Sequence, residues 1–537
     1  MAKLIKIFSP YLPYSFFTLF FLCGMLAFQD YGIGWDDEFA RVLTGRVNLN
    51  YITNLDKTTL LFVAEKYHGP FFEILLACME RGFKMTDTAN IYRMRHLVLF
   101  LVFFMAVIAF YKTAIKVVGK EYALMACLFL VLSPRIFAES FYNSKDLVFM
   151  SFFIFNLYSF IQFFEKRNWV WAIIHGILTA FLIDIRILGL LIPILTCGYW
   201  IVLTCTNTIQ KKDGLKLLIY LCVSVAFIIL CWPILWEGPI YHFKQAFLEM
   251  KKYNWDCGVL YAGNRIPATK LPWHYLILWI LISTPLLYLF LFFIGTGQFI
   301  QSSFKNGITS FLQNTNINSV VILFFVPLIA IIAMKSIVYD GWRHVYFIYP
   351  MFILIAILGL QTAWIWSKKY KWGTRIVGSL VAINLLSVSF WMIKNHPFQN
   401  TFFNELTLLT THDMPHRFEL DYWGLSYKQA EEYLLKTTPR DSKIKIAVAN
   451  YPGELNLLTH PKADRERFKL YPRDSLGYDY FISNFRFEET PTDLQVVKLF
   501  MVDNYPIIGI YKPHTASPNS KSQIANPKFQ IPNSKSH

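Results

Sequence analysis

Three consecutive carboxylates stand in the stretch Trp35-Asp36-Asp37-Glu38-Phe39-Ala40-Arg41, a few residues beyond the first apolar segment of the chain. Like charges this close to a membrane exit must be solvated, paired or used, because an unpaired carboxylate in hydrocarbon is costly. A solvated acidic loop is the plain reading of such a run. Four cations weigh against it: Arg135, Lys145, Arg186 and Arg343 each sit at the end of an apolar stretch. Taken singly, each would pair with a neighbouring carboxylate and hold helices together. Taken as a group beside Asp36, Asp37 and Glu38, they fit a shared anionic ligand, and phosphate is the group that Arg and Lys recognise best.

One chemistry needs this division of labour. A sugar carried on a polyprenyl phosphate has a leaving group that departs without protonation when cations or a metal stabilise its charge. The second carboxylic acid of a glycoside hydrolase is then unnecessary. What remains necessary is one carboxylate that takes the proton from an attacking acceptor hydroxyl.

These residues are carried by a strongly apolar chain. Of 537 residues, 55% are hydrophobic, 18% aromatic and only 16% charged, with a mean hydropathy of +0.39. That composition places the chain among multi-pass membrane proteins. The net charge of +16 is explained by Lys and Arg in cytoplasmic loops and by anionic lipid, with no nucleic-acid partner implied. Eight cysteines include no CxxC pair, and six of them (Cys23, Cys127, Cys197, Cys205, Cys222, Cys231) lie in apolar spans. They read as packing residues, with neither a disulfide framework nor a zinc site.

Apolar segments recur over residues 1–393, and about eleven of them read as transmembrane helices. Lys3 and Lys6 put the N-terminus in the cytoplasm. Lys112, Lys116 and Lys120, then Lys166 and Arg167, Lys211 and Lys212, and Lys368 to Lys371 all fall on that same side. The loops 30–93 and 237–273 and the connection Tyr339-Asp340-Gly341-Trp342-Arg343-His344 fall outside. So do Arg135, Lys145 and Arg186. In the first outer loop, His68-Gly69-Pro70 precedes Phe71 to Arg81, whose spacing predicts an amphipathic helix at the interface.

Residues 394–513 are less apolar and predict a small α+β domain outside the membrane, with a helix from Tyr427 to Leu435. Short strands are expected at Ile444 to Ala449, Tyr480 to Ser483, Val496 to Met501 and Ile507 to Tyr511. Capping the bundle is its expected role, with sugar binding through its Trp and Tyr as the alternative. Residues 514–537, rich in Ser, Asn, Pro and Lys, predict a disordered tail.

The combination resembles the GT-C superfamily, and within it the family 39-type, phospholipid-carrier-dependent transferases that include the protein O-mannosyltransferases and the aminoarabinose transferase of lipid A. Asp37-Glu38 is similar to that group's Asp-Glu pair. Ser133-Pro134-Arg135 through Asn143-Ser144-Lys145-Asp146, Leu271-Pro272-Trp273 and Glu419-Leu420-Asp421-Tyr422-Trp423-Gly424 resemble bacterial subgroup signatures, and His68-Gly69-Pro70 partly resembles a His/Lys-Pro-Pro segment. The resemblance implies a polytopic helical GT-C bundle in a bacterial inner or plasma membrane, with its site and C-terminus extracytoplasmic. It implies an inverting transfer of a hexose or pentose from a polyprenyl-phosphate donor to a hydroxyl of a lipid, glycan or protein. Asp37 would be the base and Glu38 would orient the acceptor, with Asp36 beside them as an alternative base. Lys145, Arg186, Arg343 and His344 would bind the donor phosphate, while Asp146, Arg135 and His68 would support the site. Asp37, Glu38 and Asp146 are the candidate oxygen ligands for Mg²⁺ or Mn²⁺. The rival from another class is a transporter or flippase of a lipid-linked or anionic solute, which would more naturally show an internal repeat.

Overall fold

The computed structural model describes residues 11–513, apart from residues 64, 207, 209–212, 252–254, 256, 314, 408–412, 476 and 488–492. The expectations for Lys3, Lys6, Lys211, Lys212 and the tail 514–537 lie outside the described residues.

The bundle follows the apolar pattern. Among the described residues, eight helices are long and apolar enough to cross a membrane, or nine if the bent pair Lys120–Val131 and Pro134–Tyr142 is one span. Two shorter apolar helices, Leu12–Ala27 and Trp169–Ile185, fall on the remaining expected segments. The core is aromatic and deep, with Phe100, Phe129 and Phe141 fully buried. Phe141 stacks between Tyr31 and Phe100, with ring centroids at 4.8 and 5.3 Å.

Two breaks in the helices matter for the site. Pro134 lacks an N–H and holds Ser133 extended, so the helix ends at Val131 and the chain turns by 68° into Pro134–Tyr142. This short helix delivers Asn143, Lys145 and Asp146 to the start of helix Asp146–Lys166. A similar break at Ser283-Thr284-Pro285 separates Tyr275–Ser283 from Leu286–Gln313, where one uninterrupted span was expected.

The loop 30–93 is mostly helical. It contains Asp37–Phe39, a π-helical turn Ala40–Arg46, Val47–Asn54, Lys57–Phe62 and the expected amphipathic helix, Phe71–Gly82. Pro70 is its cap residue. Gly69 meets the backbone carbonyl of Asp184 so closely that any Cβ would overlap it. The Phe71 N–H donates to Asp184 Oδ1 at 2.8 Å, which docks the loop on the end of Trp169–Ile185. The second loop, 237–273, carries helix Pro239–Lys251 and a hairpin pairing Gly258–Tyr261 with Asn264–Pro267.

The C-terminal part forms a five-stranded sheet in the spatial order Phe468–Leu470, Ile444–Val448, Tyr480–Ser483, Tyr505–Pro513, Leu494–Val502. The first three strands are parallel, and the last two pair antiparallel with their neighbours. Helix Tyr427–Thr437 packs its buried face, Tyr427, Ala430 and Leu434, on Ile444, Ile446, Ile482 and Ile508. The four expected strands and the helix are present. Phe468–Leu470 was missed because three residues carry no readable alternation.

One side chain of this sheet region grips the start of the acidic loop at several backbone groups. Buried Asn456 accepts from the Ile33 N–H at 2.9 Å and donates to the carbonyls of Ile33, Gly424 and Pro452 at 3.0, 3.1 and 2.8 Å. Asn456→Ala leaves these buried groups unpaired, at about 1 to 3 kcal/mol for each that water cannot reach. A clearly lowered thermal unfolding midpoint is expected by intrinsic fluorescence of the detergent-solubilised protein, and an unchanged midpoint would show that the clamp carries no stability.

Candidate functional site

Asp146 is the centre of the site. Asn143 Oδ1 accepts from the N–H groups of Lys145 and Asp146 at 3.2 and 2.7 Å, capping the helix that Asp146 begins. The carboxylate lies at the positive end of that helix and is buried, 2% exposed. One oxygen takes the Arg186 guanidinium, and the other takes Arg343 Nη1 at 3.4 Å. Arg186 closes the end of helix Trp169–Ile185, and Arg343 opens the helical stretch Arg343–Ser367.

Arg343 is the most heavily engaged cation. It reaches Asp340 at 3.3 Å and Asp36 at 3.6 Å, and its guanidinium lies over the rings of Tyr339 and Trp423 at 5.0 and 4.6 Å. His344 packs edge-on to Tyr339 at 4.7 Å, with a buried Nδ1 that has no hydrogen-bond partner among the described residues. Lys145, half-buried, has no ion-pair partner among the described residues. Burial, and then the nearby Arg186, pull its ammonium down to about 8. A phosphate arriving here would meet three cations of which one is uncommitted.

The carboxylates of the acidic motif diverge. Asp36 is largely exposed and faces Arg343. Glu38 accepts from Arg41 Nη1 at 3.2 and 3.0 Å and from the Tyr92 hydroxyl. Arg41 also pairs with Glu80 at 3.2 Å, and Arg95 pairs with Glu73 at 2.5 Å and Glu80 at 3.4 Å, so helix Phe71–Gly82 supplies the counter-charges. Asp37, between them, accepts only the Gly34 N–H among the hydrogen bonds of the described residues, at 2.5 Å. Burial raises its carboxyl to about 7, with Asp36 and Glu73 adding to the rise while the Gly34 bond and Arg95 oppose it.

His68 stays near the cations. It is paired with Glu65, whose carboxyl is held below its usual value chiefly by that bond. Burial lowers the imidazole, and the positive charge of Lys145 adds to this.

Two expectations need correction. Arg135 does not join the other cations: Nε donates to the Phe402 carbonyl at 3.0 Å, and the guanidinium lies over Phe403 and Trp279 at 4.7 and 5.3 Å. Its neighbours are aromatic and neutral, so it braces the segment after Lys394. Nor do Asp37, Glu38 and Asp146 come together as metal ligands. Glu38 is spent on Arg41 and Tyr92, and both oxygens of Asp146 face arginines. Among the described residues no group of three or more His, Cys, Asp or Glu could hold a metal ion.

Several residues of the site escaped sequence reasoning. Arg486 reaches Asp340 at 2.7 Å and the Tyr422 carbonyl, and lies over Trp35 at 5.4 Å. Buried Glu139 accepts from Asn143 at 2.6 Å, Tyr346 at 2.9 Å and Tyr422 at 2.7 Å. The stretch Glu419 to Gly424 is a wall of this site. Asp421 accepts from the N–H groups of Gly424, Leu425 and Ser426, Tyr422 reaches Glu139, and Trp423 covers Arg343. Gly34 lies against that tryptophan, where a Cβ would stand 2.6 Å from the ring. Only the motif itself was visible beforehand; its partners are hundreds of residues away.

Residues 83–236 match the family described as dolichyl-phosphate-mannose-protein mannosyltransferase. No curated protein matches the sequence significantly. Among solved structures, the apo oligosaccharyltransferase of Archaeoglobus fulgidus aligns with a TM-score of 0.53 and 11% identity, over 87% of this chain and 65% of that one. ArnT from Cupriavidus metallidurans bound to undecaprenyl phosphate aligns with a TM-score of 0.45 and 11% identity, over 93% and 98%. The chain thus spans just under two thirds of the archaeal protein. Over residues 83–236 the chain is thus similar to that mannosyltransferase family, and with the archaeal oligosaccharyltransferase it shares a fold.

The two shifted groups set a pH dependence. Were Asp37 to act as a base, it would work once deprotonated and rate would be lost as pH falls through about 7; were Lys145 to act as a phosphate-binding cation, it would work while protonated and rate would be lost as pH rises through about 8. A narrow bell in kcat/KM between those limits is expected, and Lys145→Arg should remove its alkaline limb. A flat profile from pH 5 to 9 would dissociate both groups from turnover.

Proposed function

We propose that this protein transfers a sugar from a polyprenyl-phosphate carrier to an acceptor hydroxyl at the extracytoplasmic face of the membrane, with inversion at the anomeric carbon. The observation that carries this reading is the meeting of Lys145, Arg186 and Arg343 around one buried carboxylate, directly beside Asp36 and Asp37. The matched mannosyltransferase family supports a carrier-linked donor.

In this reading the donor phosphate lies against Lys145 and the free edges of Arg186 and Arg343, displacing Asp36 from Arg343. Asp37 takes the proton of the acceptor hydroxyl as its oxygen attacks the anomeric carbon. The bond to the phosphate oxygen breaks in the same displacement, and the cations hold the charge that develops there. Attack opposite the leaving group inverts the centre. Asp146 holds Arg186 and Arg343 in place and touches no reacting atom. His344 lines the phosphate side through Tyr339, and Glu38 positions Asp37 through its own anchorage on Arg41 and Tyr92. No metal is assigned to the site, since the candidate ligands are engaged elsewhere.

Purified protein given a polyprenyl-phosphate sugar is expected to move the sugar to an acceptor, with the activity abolished in Asp37→Asn. Relocation of the lipid without loss of its sugar would instead establish a transporter. Two substitutions separate the charges at the donor end. Lys145→Gln should weaken donor binding by more than tenfold, as loss of a charge-assisted contact of about 1.5 to 3 kcal/mol requires, while leaving folding intact because Lys145 holds no ion pair. Asp36→Asn should tighten donor binding by several-fold, because a competing carboxylate is removed. Donor titrations of both variants read this directly, and equal affinities throughout would rule out a phosphate site here.

A further inference from the structure

Outside this site an open cleft of about 1250 Å³ lies between the first turns of helix Thr88–Val117 and the C-terminal domain. One wall is Tyr92, Arg93 and His96; the other runs from Lys428 through Lys436 and Arg440 to Arg467. Its volume exceeds what one monosaccharide occupies. Its charge is positive. Of the acidic residues in the lining, Asp30 already pairs with His396 at 2.9 Å and Glu432 with Lys428 at 2.6 Å, leaving Asp464 against Arg93, Lys436 and Arg440. Lys436 and Arg440 are exposed and have no ion-pair partner among the described residues, and Arg93 is tied only to Asn90 at 3.3 Å. His96 is buried, 4% exposed, with Nδ1 against the Phe28 carbonyl and Nε2 without a hydrogen-bond partner among the described residues.

The cleft is joined to the acidic motif by one residue. Tyr92 lines it, and the same side chain donates its hydroxyl to Glu38. Asp36 faces the donor-side cations while Glu38 faces Tyr92, so the motif stands between the two basic regions. An acceptor reaching Asp37 away from the donor phosphate would have the rest of its body near this cleft. Because one wall is the start of a spanning helix, the cleft is also within reach of a headgroup at the membrane surface.

We infer that the cleft binds the anionic part of the acceptor, a phosphate-bearing saccharide either free or as the headgroup of a glycolipid. This rests on the glycosyl-transfer reading for its purpose, but the binding is separately measurable. Arg93, Lys436 and Arg440 supply charge-assisted contacts to phosphate oxygens, and His96 Nε2 meets a sugar hydroxyl from the buried end.

The test uses the full chain in detergent and glucose 6-phosphate as probe, by equilibrium dialysis without donor. Two classes of site are expected: one removed by Lys145→Gln, the other weakened about tenfold by Arg93→Gln with Arg440→Gln. Should the double variant fold poorly, Arg440→Glu alone, at an exposed position, should still weaken the second class. Displacement of the probe from that class by vesicles containing phosphatidylglycerol, and not by phosphatidylcholine alone, identifies a headgroup ligand. Binding unaffected by these vesicles identifies a free phosphosaccharide. A single class of site, lost in Lys145→Gln and untouched by the arginine substitutions, overturns the inference while leaving the donor chemistry standing. Absence of sugar transfer with both classes of site present would overturn the catalytic reading instead.

Discussion

A carboxylate with almost no access to water has to be neutralised by its neighbours, and at Asp146 the neighbours are two arginines from different parts of the chain. Removing one partner of such a cluster leaves an uncompensated buried charge, which is strongly destabilising, whereas the intact cluster does not rank as a large net gain. Its value is geometric. The beginning of helix Asp146–Lys166, the end of Trp169–Ile185 and the start of Arg343–Ser367 are held at one level because their charges must meet there. The same pairing leaves Lys145 without an ion-pair partner among the described residues, so one cation of the pocket is uncommitted.

The other half of the site depends on a second ion cluster. Buried Arg41 and Arg95, with the more exposed Arg46, pair with Glu38, Glu73 and Glu80, three cations against three carboxylates, and among the described residues Asp37 is left with a single backbone donor. A half-buried carboxylate with so little compensation holds its proton up to about neutral pH, which is what a general base needs. The helical content of loop 30–93 follows from the same constraint, since Phe71–Gly82 must present Glu73 and Glu80 to the arginines on one face.

The C-terminal domain is part of the pocket's wall. Trp423 covers the Arg343 guanidinium, Arg486 shares Asp340 with it, and Asn456 grips the backbone at Ile33. An arginine held between acidic groups and aromatic faces keeps its orientation at little further entropic cost when an anion arrives. Tyr346 and Tyr422 converge on Glu139 beneath it, so a buried polar layer joins the bundle to the domain.

Much of this was legible in the order of residues. Long apolar runs separated by basic loops fix a bundle of spanning helices, because hydrocarbon admits few alternatives for a backbone that must bond to itself. Asp36 to Glu38, Lys145, Arg186 and Arg343 stood out because charges at the ends of apolar segments are expensive and therefore rarely idle. What the residues do once together was decided by folding. Arg135 has the same local setting as Arg186, yet the bend at Pro134 turns it toward Phe402 and Trp279, and Asp146 looked like a metal ligand until two arginines from distant segments closed on it. Nothing near Arg486 or Asn456 in the sequence distinguishes them from surface residues. Partners lie up to several hundred positions apart, and which of them meet depends on how the helices and the sheet pack, a long-range outcome that local composition does not encode.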